Sequence, residues 1–273
     1  MSSHSGPDPL IHTTVIQVPA PVAPAGDRTR MVDDLVADTD VPNGGIIVIP
    51  EFALTGYDLA YDQHELAAEA NDTIAYLKDL AVRTGNAVVT ALPRDTGVAI
   101  EDASVVVGSD GSVAFGGKHF LWGEEARYFC PSASPGLLVP TPSAVVGVVI
   151  CYEAGFPETV RRLALDGAEV IAIPAAFGHA RRHIWDVLTV SRAVENGCIV
   201  AAAGLCGTND AGARFAARST VVDPRGERLT VLDDGPGAVA VSIERDTIRA
   251  SRAEVPYLAD IRRMQERISA TRP

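Results

Sequence analysis

Residues 145–158 read VVGVVICYEAGFPE, an apolar run that leads into Cys151 and then into Pro157. Short β-branched runs of this kind are typical of buried strands, and proline is favoured in the first turn of a helix. Cys151 therefore lies where a buried strand ends and a helix is about to begin. Unpaired N–H groups and the helix dipole at such a place are expected to lower the pKa of a thiol. This makes Cys151 a candidate nucleophile, although a cysteine after a strand is also a common small core residue.

The remaining cysteines and the histidines offer no comparable setting. Cys130, Cys198 and Cys206 form no CxxC pair of the kind that binds zinc or carries out redox chemistry. His179 and His183 have the spacing of a metal pair, but the HExxH pattern is absent and no third ligand stands out. We therefore expect no metal, and a base for Cys151 has to come from a carboxylate.

Two further positions carry chemistry. Glu51 directly follows the apolar run 45–50, and α/β proteins build their sites at such strand ends; an exposed loop acid is the alternative. Lys118 is one of only two lysines in a chain that otherwise uses arginine, the other being Lys78. An isolated lysine before the apolar residues 120–122 indicates a specific role for Lys118.

Short apolar runs bounded by Gly, Pro, Asp or Asn recur along the chain and predict buried strands. The runs cover residues 14–18, 46–49, 87–91, 104–107, 145–150, 170–173, 199–203, 219–222 and 238–242. Helical patterns lie between several of these runs, and three of the helices are closed by glycine. The helices cover residues 27–38, 63–84, 157–166 and 184–196. This alternation predicts α/β layers, with a hairpin over 104–115, a disordered tail over 1–12 and a single domain over 13–273.

Composition limits the partners of the protein. The chain has 23 Lys and Arg residues against 35 Asp and Glu residues, a net charge of -12 that repels nucleic acid and anionic membranes. The N-terminus lacks the pattern of a signal peptide, and no apolar stretch reaches the ~20 residues that span a bilayer. We expect a cytoplasmic protein that acts on a small molecule, with no nucleic acid and no membrane as partner.

Three segments together resemble the Glu, Lys and Cys signatures of the nitrilase, or carbon-nitrogen hydrolase, superfamily in their order and spacing. They are PEFALTGYD (50–58), GGKHFLWGEEARYF (116–129) and ICYEAGFPE (150–158). The resemblance extends over roughly residues 13–264. It implies a four-layer αββα sandwich, a homodimer as the first guess for the oligomer, and no cofactor. Residues 111–119 are similar to a phosphate-binding loop, but the glycine is misplaced and no Ser or Thr follows Lys118, so nucleotide binding is not expected.

The resemblance also assigns roles at the site. It implies Glu51 as general base, Cys151 as nucleophile, and Lys118 with the Tyr152 N–H as the groups that stabilise the oxyanion. A second glutamate of the family aligns with Glu125, although a one-residue slip would place it on Glu124. The expected substrate contacts are Tyr57, Tyr152, Ala175 and Phe177.

The sequence CYEAGFPE is more similar to the amidase branches of the superfamily than to true nitrilases. We expect hydrolysis of a small or medium primary amide to carboxylic acid and ammonia through a Cys151 thioester. A nitrilase, an N-carbamoyl amide hydrolase, an acyltransferase and a silent binding protein are the alternatives. The loop after Cys151 offers Ala154 and Gly155 but no cation, which favours a neutral substrate. Arg181 or Arg182 would restore an anion site if either reached the pocket.

Overall fold

The computed structural model describes residues 9–20, 25–56, 63–68 and 70–270. The strands are β1 (Leu10–Gln17), β2 (Ile46–Glu51), β3 (Ala87–Asp95), β4 (Ile100–Val107), β5 (Val113–Gly117), β6 (Leu137–Pro140), β7 (Val145–Val148), β8 (Val170–Ala175), β9 (Ile199–Gly204), β10 (Thr220–Val222), β11 (Arg228–Val231) and β12 (Gly237–Glu244). The helices are α1 (Ala25–Ala37), α2 (Gln63–Ala68), α3 (Ala70–Thr84), α4 (Pro157–Leu165), α5 (Arg182–Asn196), α6 (Arg245–Glu254) and α7 (Tyr257–Ala270). Within these ranges, none of the helices is long and apolar enough to cross a bilayer.

The strands form two six-stranded sheets of matching design. The first sheet has the order β12-β1-β2-β3-β4-β5, and the second has the order β11-β10-β9-β8-β7-β6. In each sheet three neighbouring strands are parallel, namely β1, β2 and β3 in the first and β7, β8 and β9 in the second. The remaining strands extend each sheet with antiparallel pairs. The parallel strands read as continuous apolar runs because both of their faces are covered.

Three apolar clusters hold the layers together. One lies between the sheets and joins side chains such as Val48 and Val89 of the first sheet to Val148 and Ala172 of the second. A second cluster packs α1 and α3 on the outer face of the first sheet. A third packs α4 and α5 on the outer face of the second sheet. The αββα sandwich that the resemblance implied is thereby confirmed.

Every strand predicted from an apolar run is present, but several boundaries and elements differ. The tail expected over residues 1–12 is wrong for Leu10, Ile11 and His12, which belong to β1. These residues are ordered by pairing with β12, where Leu10 lies opposite Glu244. The short strands β6 and β11 and the C-terminal helices α6 and α7 were not predicted. The helix expected over 63–84 corresponds to α2 and α3 on either side of residue 69, which lies outside the described residues.

The topology brings the ends of the central strands together. Glu51 is the last residue of β2 in the first sheet, and Cys151 follows β7 in the second. Strand β2 packs against β8 and β9 of the opposite sheet. Because open α/β sheets bind ligands outside the carboxyl ends of their parallel strands, a site formed by both sheets is expected at this edge.

Candidate active site

Cys151 occupies a tight turn between β7 and α4. It is the first residue of a short 3-10 helix, and its φ of 47° lies in the left-handed region, which is unfavourable for a residue with a Cβ. Glu153 closes the turn: its Oε2 accepts the Ile150 N–H at 3.0 Å, while the Ile150 carbonyl accepts the Glu153 N–H at 2.8 Å. Arg192 supports the turn from α5, with its Nε donating to the Ala154 carbonyl at 2.7 Å. The strained backbone at Cys151 is thus held by its surroundings.

Glu51 is fully buried and connects the two sheets. Its Oε1 accepts a hydrogen bond from Lys118 Nζ at 2.7 Å, and its Oε2 accepts the Ala176 N–H at 2.7 Å. Ala176 follows β8 of the second sheet, so the carboxylate is anchored from both sides. The next residue, Phe52, has a φ of 55° and turns the chain at the end of the strand.

Lys118 lies at the centre of a buried charged cluster. Its Nζ is 2.7 Å from Glu51 Oε1, 2.9 Å from Asp102 Oδ2 and 2.9 Å from Glu125 Oε2. The lysine, Glu51 and Asp102 side chains are fully buried, and Glu125 is 1% exposed. We call these four residues the lysine cluster. Removing so many charges from water is costly, which is typical of a functional site.

Among the described residues, the carboxylates of Glu51, Asp102 and Glu125 lie close enough together to hold a metal ion. Their oxygens lie within 4.8 Å of one another. Lys118 Nζ already contacts all of them, so the ammonium takes the position that a cation would need. A metal ion would have to displace the lysine, and the arrangement is better suited to a fixed ammonium than to an exchangeable ion.

Burial changes the protonation of the cluster and of the cysteine. Burial and the charge of Glu51 raise the pKa of Cys151 well above its ordinary value, and a hydrogen bond with Glu51 contributes to the rise. The expectation that the strand-to-helix position lowers this pKa is therefore wrong. Burial also raises the pKa of Asp102. Burial lowers the pKa of Lys118, but Asp102 and the other carboxylates outweigh it and hold the lysine charged. Cys151 therefore rests as a neutral thiol near the Glu51 carboxylate.

The structure places Glu125 beside the lysine and Glu124 at the surface. Glu125 Oε2 also accepts the Trp122 N–H at 2.7 Å, which fixes the carboxylate toward the interior. Glu124 pairs with Arg127 and its side chain is 60% exposed. Of the two registers that the sequence left open, the one that puts Glu125 in the site matches the geometry.

A cavity of about 550 Å³ leads to Cys151. Apolar side chains form most of its wall: Trp122, Tyr152, Phe177, Ile184, Leu188 and Phe215. Two expected contacts, Tyr152 and Phe177, are therefore in the cavity. Ala175 is not, because it is fully buried in β8 and Ala176 lines the cavity instead. Tyr57 lies outside the described residues.

Several residues of the site were missed by sequence reasoning. Asp102 lies in β4, two residues before the strand was expected to begin, and an acid beside an apolar run was the available signal. Glu153 reaches from the cysteine turn to the residue after the lysine, with its Oε1 accepting the His119 N–H at 2.8 Å. Arg214 lines the cavity without belonging to any recognised motif.

Comparison with known proteins agrees with this geometry. The family model for carbon-nitrogen hydrolases matches residues 41–253, a range that contains the cysteine turn and the whole lysine cluster. The chain belongs to the carbon-nitrogen hydrolase family. The resemblance of the three sequence segments to the nitrilase superfamily is confirmed.

Two relatives of this carbon-nitrogen hydrolase match most of its length. It is 30% identical to a protein of Pseudomonas protegens described as a hydrolase in the pqqF 5' region, over 89% of this chain and 86% of that protein. It is 28% identical to the 2-oxoglutaramate amidase of Bacillus subtilis, over 80% of this chain and 85% of the relative. Among solved structures, it matches a cysteine-to-alanine mutant of the amidase from Nesterenkonia sp. AN1 in complex with butyramide. That match has a TM-score of 0.76 and 27% identity, and it covers 90% of this chain and 95% of the other.

Proposed function

We propose that this carbon-nitrogen hydrolase converts a small or medium primary amide to a carboxylic acid and ammonia. The observation that carries the proposal is the buried Glu51–Lys118 pair, with nitrogen and oxygen 2.7 Å apart, behind a cavity that is lined by Cys151 and is large enough for a small molecule. The charge of Glu51 raises the pKa of the Cys151 thiol, so the two groups share the same site. Ligand cavities of roughly 300–1,000 Å³ are usual for small-molecule sites. The site combines a nucleophile, a base and a cation, which is the set that acyl transfer requires.

In the proposed acylation, Glu51 takes the proton of the Cys151 thiol while the sulfur attacks the carbonyl carbon of the amide. The raised pKa of the thiol makes this proton transfer necessary. The Lys118 ammonium and the Tyr152 N–H donate to the oxygen, which becomes negative in the tetrahedral intermediate. An N–H at the beginning of a 3-10 helix is suited to this role because it lies in a turn whose first donors have no acceptor within the helix.

The tetrahedral intermediate then breaks its carbon–nitrogen bond. The proton held by Glu51 goes to the departing nitrogen, so ammonia leaves and a thioester remains on Cys151. Glu51, again ionised, takes a proton from the incoming water as the water oxygen attacks the thioester carbon. The carbon–sulfur bond breaks, the proton returns to sulfur, and the carboxylic acid leaves.

The choice of an amide rests on two relatives whose names include an activity. The Bacillus subtilis relative is a 2-oxoglutaramate amidase, and the Nesterenkonia amidase was crystallised with butyramide. Both names concern primary amides, whereas the chemistry of the site would also serve a nitrile. An amine that competes with water for the thioester would turn the same site into an acyltransferase.

The proposal is tested by ammonia release from a panel of short primary amides, with butyramide among them. Cys151→Ala should abolish release while circular dichroism shows an unchanged fold, and Cys130→Ala, at an exposed cysteine, is the matched control. Acid quenching during turnover should leave an acyl group on the peptide that contains Cys151. Turnover by folded Cys151→Ala, or an acyl group on another cysteine, would refute the mechanism. Better turnover of the corresponding nitriles, or transfer of the acyl group from Cys151 to an added amine in preference to water, would replace the amidase assignment.

A further inference from the structure

The charge of the cavity lining is not balanced. Its charged side chains are Arg181 and Arg214, and neither Asp nor Glu is among the described residues that line it. In a protein with a net charge of -12, two cations on the lining of an otherwise apolar cavity are unexpected; Arg181 is half-buried there and Arg214 is exposed at its mouth. Within the described part of the chain, neither guanidinium has a carboxylate at ion-pair distance, whereas the neighbouring Arg182 lies 2.7 Å from Asp234.

Arg181 is held in place without an acidic partner. The carbon of its guanidinium lies 4.5 Å from the centre of the Trp122 ring, a cation–π contact at the cavity wall. Gly178 allows the side chain to fold back over its own loop, because a Cβ at position 178 would lie 2.7 Å from Arg181 Nη2. This packing orders the side chain while its N–H groups remain available to a ligand.

The two arginines belong to loops that are joined by hydrogen bonds. The Arg214 carbonyl accepts the His179 N–H at 2.9 Å, and the Phe177 carbonyl accepts the Ala216 N–H at 2.7 Å. The loop after β8, which carries Arg181, and the loop before β10, which carries Arg214, therefore form one backbone unit at the cavity. A guanidinium can pair with a carboxylate through two parallel N–H···O hydrogen bonds, so a unit that carries two arginines at one cavity is suited to bind an anion.

The buried end of the site has the opposite character. In the lysine cluster three carboxyl groups surround a single ammonium. A substrate anion would be repelled from that end and attracted by the arginines, and both effects are strengthened by the apolar wall between them. The electrostatics thus orient a substrate with its amide toward Cys151 and its anion away from it.

We propose that the substrate is an amide that carries a carboxylate, and that Arg181 and Arg214 bind this carboxylate. The inference rests on the proposed amidase function and names its substrate class, a monoamide of a dicarboxylic acid. It reverses the expectation of a neutral substrate, which rested on the loop after Cys151, and takes up the alternative that Arg181 or Arg182 forms an anion site. Of the two arginines considered from the sequence, Arg181 reaches the cavity and Arg182 does not.

The test compares succinamate with butyramide, two four-carbon amides that differ by a carboxylate in place of a methyl group. The wild-type protein should have a kcat/KM for succinamate that is roughly tenfold to a hundredfold higher, the range expected for charged hydrogen bonds. Arg181→Met and Arg214→Met should each reduce this preference mainly through KM, and the double variant should remove it. The matched control, Arg182→Met, should keep the ratio of the wild type.

Equal kcat/KM values for the two amides in the wild type would overturn the proposal, and so would an equal loss for both amides in the arginine variants. Binding to the Cys151→Ala protein, measured by calorimetry, separates this failure from a failure of the amidase function. Tighter binding of succinamate than of butyramide, lost in Arg181→Met, supports the anion site even without turnover. An absence of acyl-Cys151 with both amides would refute the amidase function alone, and equal binding of both would refute the anion site.

Discussion

Replacing Lys118 by methionine should destabilise the protein in a pH-dependent manner. Methionine is unbranched and fills a similar space, so the main change is the loss of the ammonium that contacts three buried carboxylates. After Lys118→Met these groups lie within 4.8 Å of one another without a cation. In the variant, the carboxyl groups of the cluster therefore either bind protons or remain charged and repel one another in the protein interior.

The magnitude follows from these two alternatives. An unpaired charge left after removal of its buried partner costs about 3–5 kcal/mol. A carboxyl group with an unfolded-state pKa near 3.9 can instead bind a proton, which at pH 7 costs about 4 kcal/mol because each pH unit contributes ~1.4 kcal/mol. At pH 5 the same protonation costs about 1.5 kcal/mol. We expect the free energy of unfolding to fall by about 4 kcal/mol at pH 7 and by about 1.5 kcal/mol at pH 5.

The sign of this dependence comes from linkage. Burial already raises the pKa of Asp102, and Lys118 is the strongest influence that lowers it, so without the lysine the three carboxyl groups together bind more protons in the folded protein than they do in the wild type. A group whose pKa is higher in the folded protein binds more protons there, and its contribution to stability is lost as the pH rises. The difference in stability between the wild type and Lys118→Met should therefore grow from acid to neutral pH.

Urea unfolding followed by circular dichroism, at one protein concentration and at pH values from about 5 to about 8, measures this difference. The matched control is Lys78→Met, which removes the other lysine of the chain from an exposed position on α3. The control should follow the wild type at each pH. A loss of stability for Lys118→Met that is equal at both ends of this range, or larger at the acid end, would refute the reasoning.

Two further predictions concern the carboxylates of the cluster. Glu125→Gln should lower kcat by roughly 10²-fold or more, because it loosens Lys118, which stabilises the oxyanion in the proposed mechanism. Glu124→Gln, at an exposed position, should leave kcat unchanged. Steady-state ammonia release compares the two variants, and the reverse order would move the site by one residue. Asp102→Asn should keep Lys118 paired with two carboxylates, so its free energy of unfolding should fall less between about pH 5 and about pH 8 than that of the wild type. An unchanged pH dependence in urea unfolding would contradict the raised pKa of Asp102.

Local sequence patterns predicted the elements that are determined locally. The central strands are visible as apolar runs because they are buried on both faces, and the glycine after α5 marks its end with a φ of 54°. The edge strands β6 and β11 are short and partly exposed, so they leave no such run. Strand β1 begins at Leu10 because of its pairing with β12, more than 200 residues away in the chain. A contact of that range cannot be inferred from a local pattern.

The same distinction separates the site residues that were predicted from those that were missed. Glu51, Lys118 and Cys151 stand in segments whose local order is characteristic of the family. Asp102 reaches the lysine because β4 and β5 pair with Ala103 opposite Gly117, which places Lys118 beside it. Arg214 reaches the cavity because its loop is bonded to the loop after β8. Both positions depend on tertiary registers that the sequence does not display.

The site is divided between the two sheets, and a few hydrogen bonds set its geometry. Glu51 and Lys118 come from the first sheet and Cys151 from the second, so in the proposed mechanism the approach of Glu51 to the thiol depends on how the sheets pack. Glu51 is bonded across to the Ala176 N–H, and Glu153 beside the cysteine is bonded across to the His119 N–H. Burial favours the neutral thiol, so the proposed proton transfer needs Glu51 close to Cys151, and the bond to Ala176 fixes the Glu51 carboxylate against the second sheet. Glu51 and Glu153 are each bonded to the backbone of the opposite sheet. In the proposed mechanism, proton transfer from Cys151 therefore depends on how the two sheets pack.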